Sequence, residues 1–187
     1  MPKKRGALNV YLYGEKDSGT KNKRKGEAVE EAEDFQGQDY DKIKEEYSKD
    51  KLFEDDEFDL EFPKMSVEWK RPFEICDNPK YFVNEPKPGD INQGALGDCW
   101  AIACMSEIPN FPKLFERIVP SDNKLSGEEY CGACRFRFQE QNKWIEVVID
   151  DRLPTQNGQL VGVRSVSENE FWIPLLEKAY TKWVPSK

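Results

Sequence analysis

Cys99 is the residue in this sequence best placed to do chemistry. It follows D-I-N-Q-G-A-L-G-D, where Gly94 and Gly97 break the backbone, and it opens a short, largely apolar stretch from Cys99 to Ile108 that reads as a helix. A cysteine attacks as its thiolate, and a helix N-terminus favours that anion through free N–H groups and the helix dipole. Gln93 lies six residues upstream on the glycine-rich stretch. Folded back beside the thiolate, its side-chain amide would join the Cys99 backbone N–H as a donor pair for the oxyanion of a tetrahedral intermediate. Trp100 then walls the site. A lone buried cysteine is ordinarily a small core hydrophobe. Here the coincidence of Gln93, Gly97, Cys99 and Trp100 favours a nucleophile. Such a nucleophile works with an imidazole base, and the 187 residues include no histidine.

Two further clusters have simpler readings. Cys131-Gly132-Ala133-Cys134 has the spacing of a redox or zinc motif. It falls within an alternating strand pattern, with no histidine and no second cysteine pair, so chance spacing explains it. Asp150-Asp151 resembles a metal pair, but a strand end followed by Arg152 as ionic partner is the plainer account. The five cysteines (Cys76, Cys99, Cys104, Cys131, Cys134) form an odd set without secretory context. Reduced thiols and a cytoplasmic location are therefore expected.

The elements that must position Cys99 are partly visible in the pattern. The apolar helix behind it is expected to be buried, and Leu114, Phe115 and Ile118 give a second short helix one apolar face. Tyr130, Gly132, Cys134, Phe136 and Phe138 alternate with Cys131, Ala133, Arg135 and Arg137, which predicts a half-buried strand. Glu140-Gln141-Asn142 turns it into a strand from Trp144 to Asp150. Asn157-Gly158 marks a hairpin into a third strand, Gln159 to Arg164. Phe171, Trp172, Leu175, Leu176, Ala179, Tyr180 and Trp183 describe an amphipathic helix, with Ser167 and Glu170 at capping-box spacing and Pro174 near the regular start. Upstream, Tyr40, Ile43 and Tyr47 follow a helical period, and the X-Pro pairs from Trp69 to Pro88 predict an extended, irregular path. The sum is an α+β fold: a helix bearing Cys99 packed on a small antiparallel sheet, with a C-terminal helix.

Composition bounds the rest. Residues 1–38 are dense in mixed charge and poor in apolar side chains, so a disordered tail is expected, with the folded unit at 39–187. A net charge of −8 argues against nucleic acid as a partner. No stretch approaches the roughly 20 apolar residues of a membrane span, and the N-terminal residues lack the features of a secretory signal.

The segment L-G-D-C-W nearly reproduces the papain-type signature around a catalytic cysteine. More broadly, D-I-N-Q-G-A-L-G-D-C-W (Asp90 to Trp100) resembles the calpains, cytoplasmic cysteine endopeptidases that are commonly calcium-dependent. The resemblance takes in L-F-E-D (Leu52 to Asp55), W-K-R-P (Trp69 to Pro72), V-V-I-D-D-R-L-P (Val147 to Pro154) and N-E-F-W-I-P-L-L-E-K-A-Y-T-K (Asn169 to Lys182). It implies the cysteine-bearing first subdomain of a papain-like catalytic core, with Cys99 as nucleophile and Gln93 as oxyanion residue. A second subdomain would supply the histidine and asparagine, so the chain is expected to be truncated before it and inactive alone. The resemblance further implies a calcium ion held by Asp90 and Glu170, protein substrates, and the remaining calpain domains as partners. The local alternatives for those two residues are a turn after Gly89 and the capping box. The rival function is a non-catalytic module that binds peptides or a protease.

Overall fold

The computed structural model describes residues 32–58, 66–87, 89, 91–92 and 99–184, with the backbone alone at 99–101. In chain order the elements are β1 (Glu33–Asp34), α1 (Tyr40–Glu46), β2 (Glu68–Lys70), α2 (Pro72–Ile75), β3 (Ile91–Asn92), α3 (Cys99–Glu107) and α4 (Pro112–Ile118). There follow β4 (Ala133–Glu140), β5 (Lys143–Asp150), β6 (Leu153–Gln156), β7 (Gln159–Leu160), β8 (Arg164–Ser165) and α5 (Trp172–Trp183). The strands form three small sheets, ordered β1-β5-β4, β2-β6-β7 and β3-β8. Helices and small sheets together make the α+β fold that the sequence implied.

Two turns build the hairpins. Gln141 (φ 50°) and Asn142 (φ 65°) join β4 to β5, and Asn157 (φ 53°) and Gly158 (φ 77°) join β6 to β7. Two consecutive left-handed residues give a turn whose twist matches that of the strands it joins. The expected third strand is divided. It pairs with β6 over β7 and through Val161 N to Pro154 O at 3.0 Å, passes Gly162 and Val163, and re-forms as β8 against β3. The other departure lies at the sheet edge. β1 runs parallel to β5 (Glu33↔Ile145), so residues 33–38, placed by composition in a charged tail, are packed. Lys143 Nζ meets Glu33 Oε1 at 2.5 Å and Lys182 Nζ donates to Gln38 Oε1 at 2.5 Å. The β1–β5 ladder and Phe35, which packs against the main core, hold the segment together with these polar contacts, and one aromatic ring in a charged stretch is too little for composition to reveal.

The core forms around α5. Trp172, Ile173, Leu175, Leu176 and Ala179 join Phe136, Val147 and Ile149 in the main cluster. Each such side chain contributes about 1.5–3 kcal/mol by leaving water. Glu177, Lys178 and Lys182 are buried too, so α5 is enclosed on nearly every side instead of presenting a polar face to solvent. Pro174 sits in its first turn, where its missing N–H costs nothing, and the first helical bond runs from Leu175 N to Phe171 O at 3.2 Å. The Ser167–Glu170 capping box does not form, because the helix starts two residues beyond Glu170 and Phe171 precedes it without a side-chain cap.

The opposite face of β4-β5 is also covered. Asp39 caps α1 by accepting from Asp41 N at 3.1 Å and Lys42 N at 3.2 Å. Tyr40 then packs with Phe53, Cys131, Ala133 and Val148 in a second cluster. The strand read as half-buried is therefore enclosed on both faces, with the Arg135 guanidinium 4.6 Å from the centre of the Tyr40 ring.

Asp150 and Asp151, adjacent at the end of β5, enter different ionic groups because successive strand residues point opposite ways. Asp150 takes Lys178 Nζ at 2.6 Å and Arg152 Nη2 at 2.7 Å, and accepts Asp55 N at 2.9 Å. Burial acts to raise its pKa, but the Lys178 ammonium and the Arg152 hydrogen bond outweigh that and hold it at about 2. Asp151 takes Arg71 Nη1 at 2.5 Å and the Tyr130 hydroxyl at 2.6 Å. A third pair, Asp55–Lys182 at 2.8 Å, closes the group. The ionic reading of Asp150-Asp151 thus holds in an extended form.

Gly132 has a role of its own. Its φ is 79°, and a Cβ there would lie 2.6 Å from Arg71 Nη1 and 3.1 Å from Leu52 Cβ. The C-G-A-C spacing therefore accommodates the Arg71 guanidinium. Cys131 and Cys134 belong to separate clusters on the two faces of the sheet, and burial pushes both thiols up in pKa. Neither shares a ligand position with the other.

Candidate active site

Cys99 is the first residue of α3, as the glycine-to-apolar transition predicts. Ile102 and Met105, three residues apart and so on one helical face, are 6% and 4% exposed and enter the main core. Ala103 and Cys104 are exposed. The helix is thus buried along one face only, where its apolar composition had suggested burial throughout. A short 3-10 turn, Ile108–Asn110, leads from it to α4. The Phe115 ring of α4 packs 5.2 Å from Trp172 and 5.9 Å from Phe82, centre to centre, which seats the helix pair on α5.

Upstream of Cys99, β3 and β8 pair antiparallel, Ile91 with Ser165 and Asn92 with Arg164. Residues 93–98, among them Gln93, lie outside the described residues, as does Asp90. They are bracketed by two fixed points, β3 on one side and the first turn of α3 on the other.

Glu170 sits in a clasp between two chain segments. Its Oε1 accepts Val83 N at 2.7 Å and its Oε2 accepts the Ser165 hydroxyl at 2.5 Å. Around it Lys80 N bonds Asn169 O at 2.8 Å, Phe171 N bonds Lys80 O at 3.0 Å and Trp172 N bonds Tyr81 O at 3.2 Å. Glu170 is 7% exposed, and among the described residues its hydrogen-bond partners are neutral. A buried carboxylate among neutral donors leaves a negative charge to be balanced, a setting that suits a cation. Ile91 pairs with the same Ser165 that bonds Glu170, so β3 and the Glu170 segment meet at this clasp. Among the described residues no group of three or more His, Cys, Asp or Glu side chains is arranged to hold a metal.

Sequence reasoning missed the second carboxylate of this edge. Glu177 Oε2 accepts Val163 N at 2.9 Å, tying α5 to the residue that precedes β8. The signal was a pair of charged residues, Glu177 and Lys178, inside the largely apolar run W-I-P-L-L-E-K-A-Y. Among the described residues no helix is long and apolar enough to cross a membrane.

A family profile described as calpain family cysteine protease matches residues 23–186. The chain belongs to that family. It is 51% identical over 118 residues to a calpain of Schistosoma mansoni, covering 62% of this chain and 16% of that protein. It is 45% identical over 139 residues to Calpain-A of Drosophila melanogaster, covering 70% and 17%. With the Calpain-2 catalytic subunit of Bos taurus it shares 47% identity over 116 residues, covering 62% and 16%. The chain spans about a sixth of the length of these curated relatives.

Proposed function

We propose that this chain is the nucleophile-bearing half of a calcium-dependent, cytoplasmic cysteine endopeptidase, and that alone it does not cleave peptides. The observation that carries the reading is the family match over residues 23–186, within which Cys99 opens α3. In this reading the Cys99 thiolate attacks a peptide carbonyl, forming the C–S bond. Gln93 and the Cys99 N–H donate to the oxyanion. The leaving amine departs with a proton, and water then hydrolyses the thioester to free the thiol. That proton must come from an imidazolium, which these 187 residues cannot provide. The second catalytic subdomain is therefore the expected partner, supplying histidine and asparagine, and extended protein chains are the expected substrates.

Asp90 and Glu170 are the residues proposed to hold calcium. The ion would neutralise the carboxylates and tie the segment entering the nucleophile loop to the one preceding α5. The clasp around Glu170 supports this part of the reading.

General acid–base help is worth about 10²–10⁴-fold, and loss of one member of a catalytic unit costs more because its members act together. The purified chain is expected to cleave a fluorogenic peptide no faster than its Cys99→Ser variant, with or without calcium. Joined to a second subdomain carrying histidine and asparagine, it is expected to gain cleavage that Cys99→Ser removes. Robust Cys99-dependent proteolysis by the chain alone would overturn the proposal. The absence of histidine also favours a second reading, a peptide- or protease-binding module, for which saturable peptide binding without turnover in the joined form would speak.

A further inference from the structure

We infer that Glu177 is a positioning residue for the nucleophile loop, holding β8 from α5 and, through β8, the strand β3 that leads into residues 93–98. The inference rests on the reading of Gln93 and Cys99 given above. Glu177 is 5% exposed, and its Oε2 accepts the N–H of Val163, a residue with no exposed surface, at 2.9 Å. The next two residues are β8, whose Arg164 and Ser165 pair with Asn92 and Ile91. Two-residue strands make a ladder too short to hold itself. β8 is gripped at both ends by buried carboxylates, Glu177 at Val163 and Glu170 at the Ser165 hydroxyl. β3 has only β8 as a sheet partner among the described residues. α5 is buried along nearly its whole length, so Glu177 transmits its rigidity to a ladder that would otherwise float. A neutral backbone donor needs only an oxygen acceptor, so a glutamine at 177 can replace the carboxylate in this role.

Amide hydrogen exchange in the 187-residue chain, read by mass spectrometry, tests the tether without any activity. Glu177→Met is expected to raise exchange about tenfold in peptides spanning 89–93 and 161–166, the local cost of one lost buried bond, while peptides from 133–150 keep wild-type rates. Glu177→Gln is expected to restore protection. Unchanged exchange at 89–93 in Glu177→Met overturns the inference, and so does equal acceleration in every peptide. In the chain joined to a second catalytic subdomain, Glu177→Met is expected to lower kcat about 10- to 100-fold with KM little changed. That loss should vanish in a Gln93→Ala background; additive losses overturn the inference. If Gln93→Ala alone leaves kcat unchanged, the oxyanion reading falls, and the exchange result still decides the tether.

Discussion

Lys178 and Lys182, one turn apart on α5, meet Asp150 and Asp55 at the end of β5, while Glu170, just before the same helix, meets a backbone N–H and a hydroxyl. All five groups are buried. In the first region each charge faces an opposite charge at 2.6–2.8 Å. In the second the described partners of the carboxylate are neutral. Desolvating an ion costs several kcal/mol, and close pairing repays that only when geometry and hydrogen bonds are complete. The first region is therefore complete in itself and belongs to the stability of the fold. The second shows no cationic partner among the described residues, and it lies beside β3, which leads towards residues 93–98. The difference separates charge that holds the scaffold from charge that suits a ligand.

The largest expected effect breaks the matched region. Lys182→Met keeps the side-chain length but leaves Asp55, fully enclosed, without its ammonium. Urea unfolding should show a loss of about 3–5 kcal/mol. Removing both charges, as Asp55→Leu with Lys182→Met, should recover most of it. A single-mutant loss below about 1 kcal/mol would mean that water reaches the pair.

A smaller effect comes from acid. Asp150 titrates at about 2 in the folded chain against an ordinary 3.8. A depressed folded pKa contributes stability that is present above pH 4 and lost as pH falls through 2. The stability difference between wild type and Asp150→Asn should shrink by about 2 kcal/mol between pH 5 and pH 2. A constant difference across that window would remove charge from the account of Asp150.

The smallest effect probes the unmatched region. Calcium at about ten times its dissociation constant should stabilise the wild type by about 1.4 kcal/mol. Glu170→Gln, which keeps an acceptor oxygen but not the charge, should gain nothing from calcium, and calorimetry should find no binding to it. Equal stabilisation of both proteins would separate Glu170 from any metal and erase the contrast between the regions.

Much of this architecture was legible because local rules were obeyed. The Asn157-Gly158 turn, the period that gave α1, and the passage from glycine-rich loop to apolar helix at Cys99 all follow from backbone preference. The misreadings share a cause in tertiary partners. Ser167 and Glu170 have capping-box spacing, yet the clasp with Val83 and Ser165 claims the carboxylate and the helix begins later. Gln159 to Arg164 reads as one strand, but β6 and β3 compete for its two ends. The lysines of α5 look like a solvent face until Asp55 and Asp150 are seen to lie 127 and 28 residues away in sequence. At the site, residue types and spacing pointed to Cys99 and Gln93, while Asp90 and Glu170 came only from the resemblance to the calpains. The tether through Glu177 left only a weak trace, charge within an apolar run, because a side chain bonded to a backbone N–H 14 residues away does not name its partner in the sequence.

The packing of residues 33–58 onto β5 and α5 also sets an order of events during synthesis. Glu33 waits for Lys143, 110 residues later, and Gln38 for Lys182, 144 residues later. At about 5–20 residues per second, the second interval is roughly 7–30 s, far longer than a local hairpin or helix needs to form. β4-β5, whose partners are adjacent in sequence, can close long before the N-terminal strand finds its place. The strand joins last, against a loop-closure entropy that grows only slowly with length. A segment rich in charge suits that timetable, since it must remain in water, soluble and unpaired, until Lys143 and Lys182 have been made.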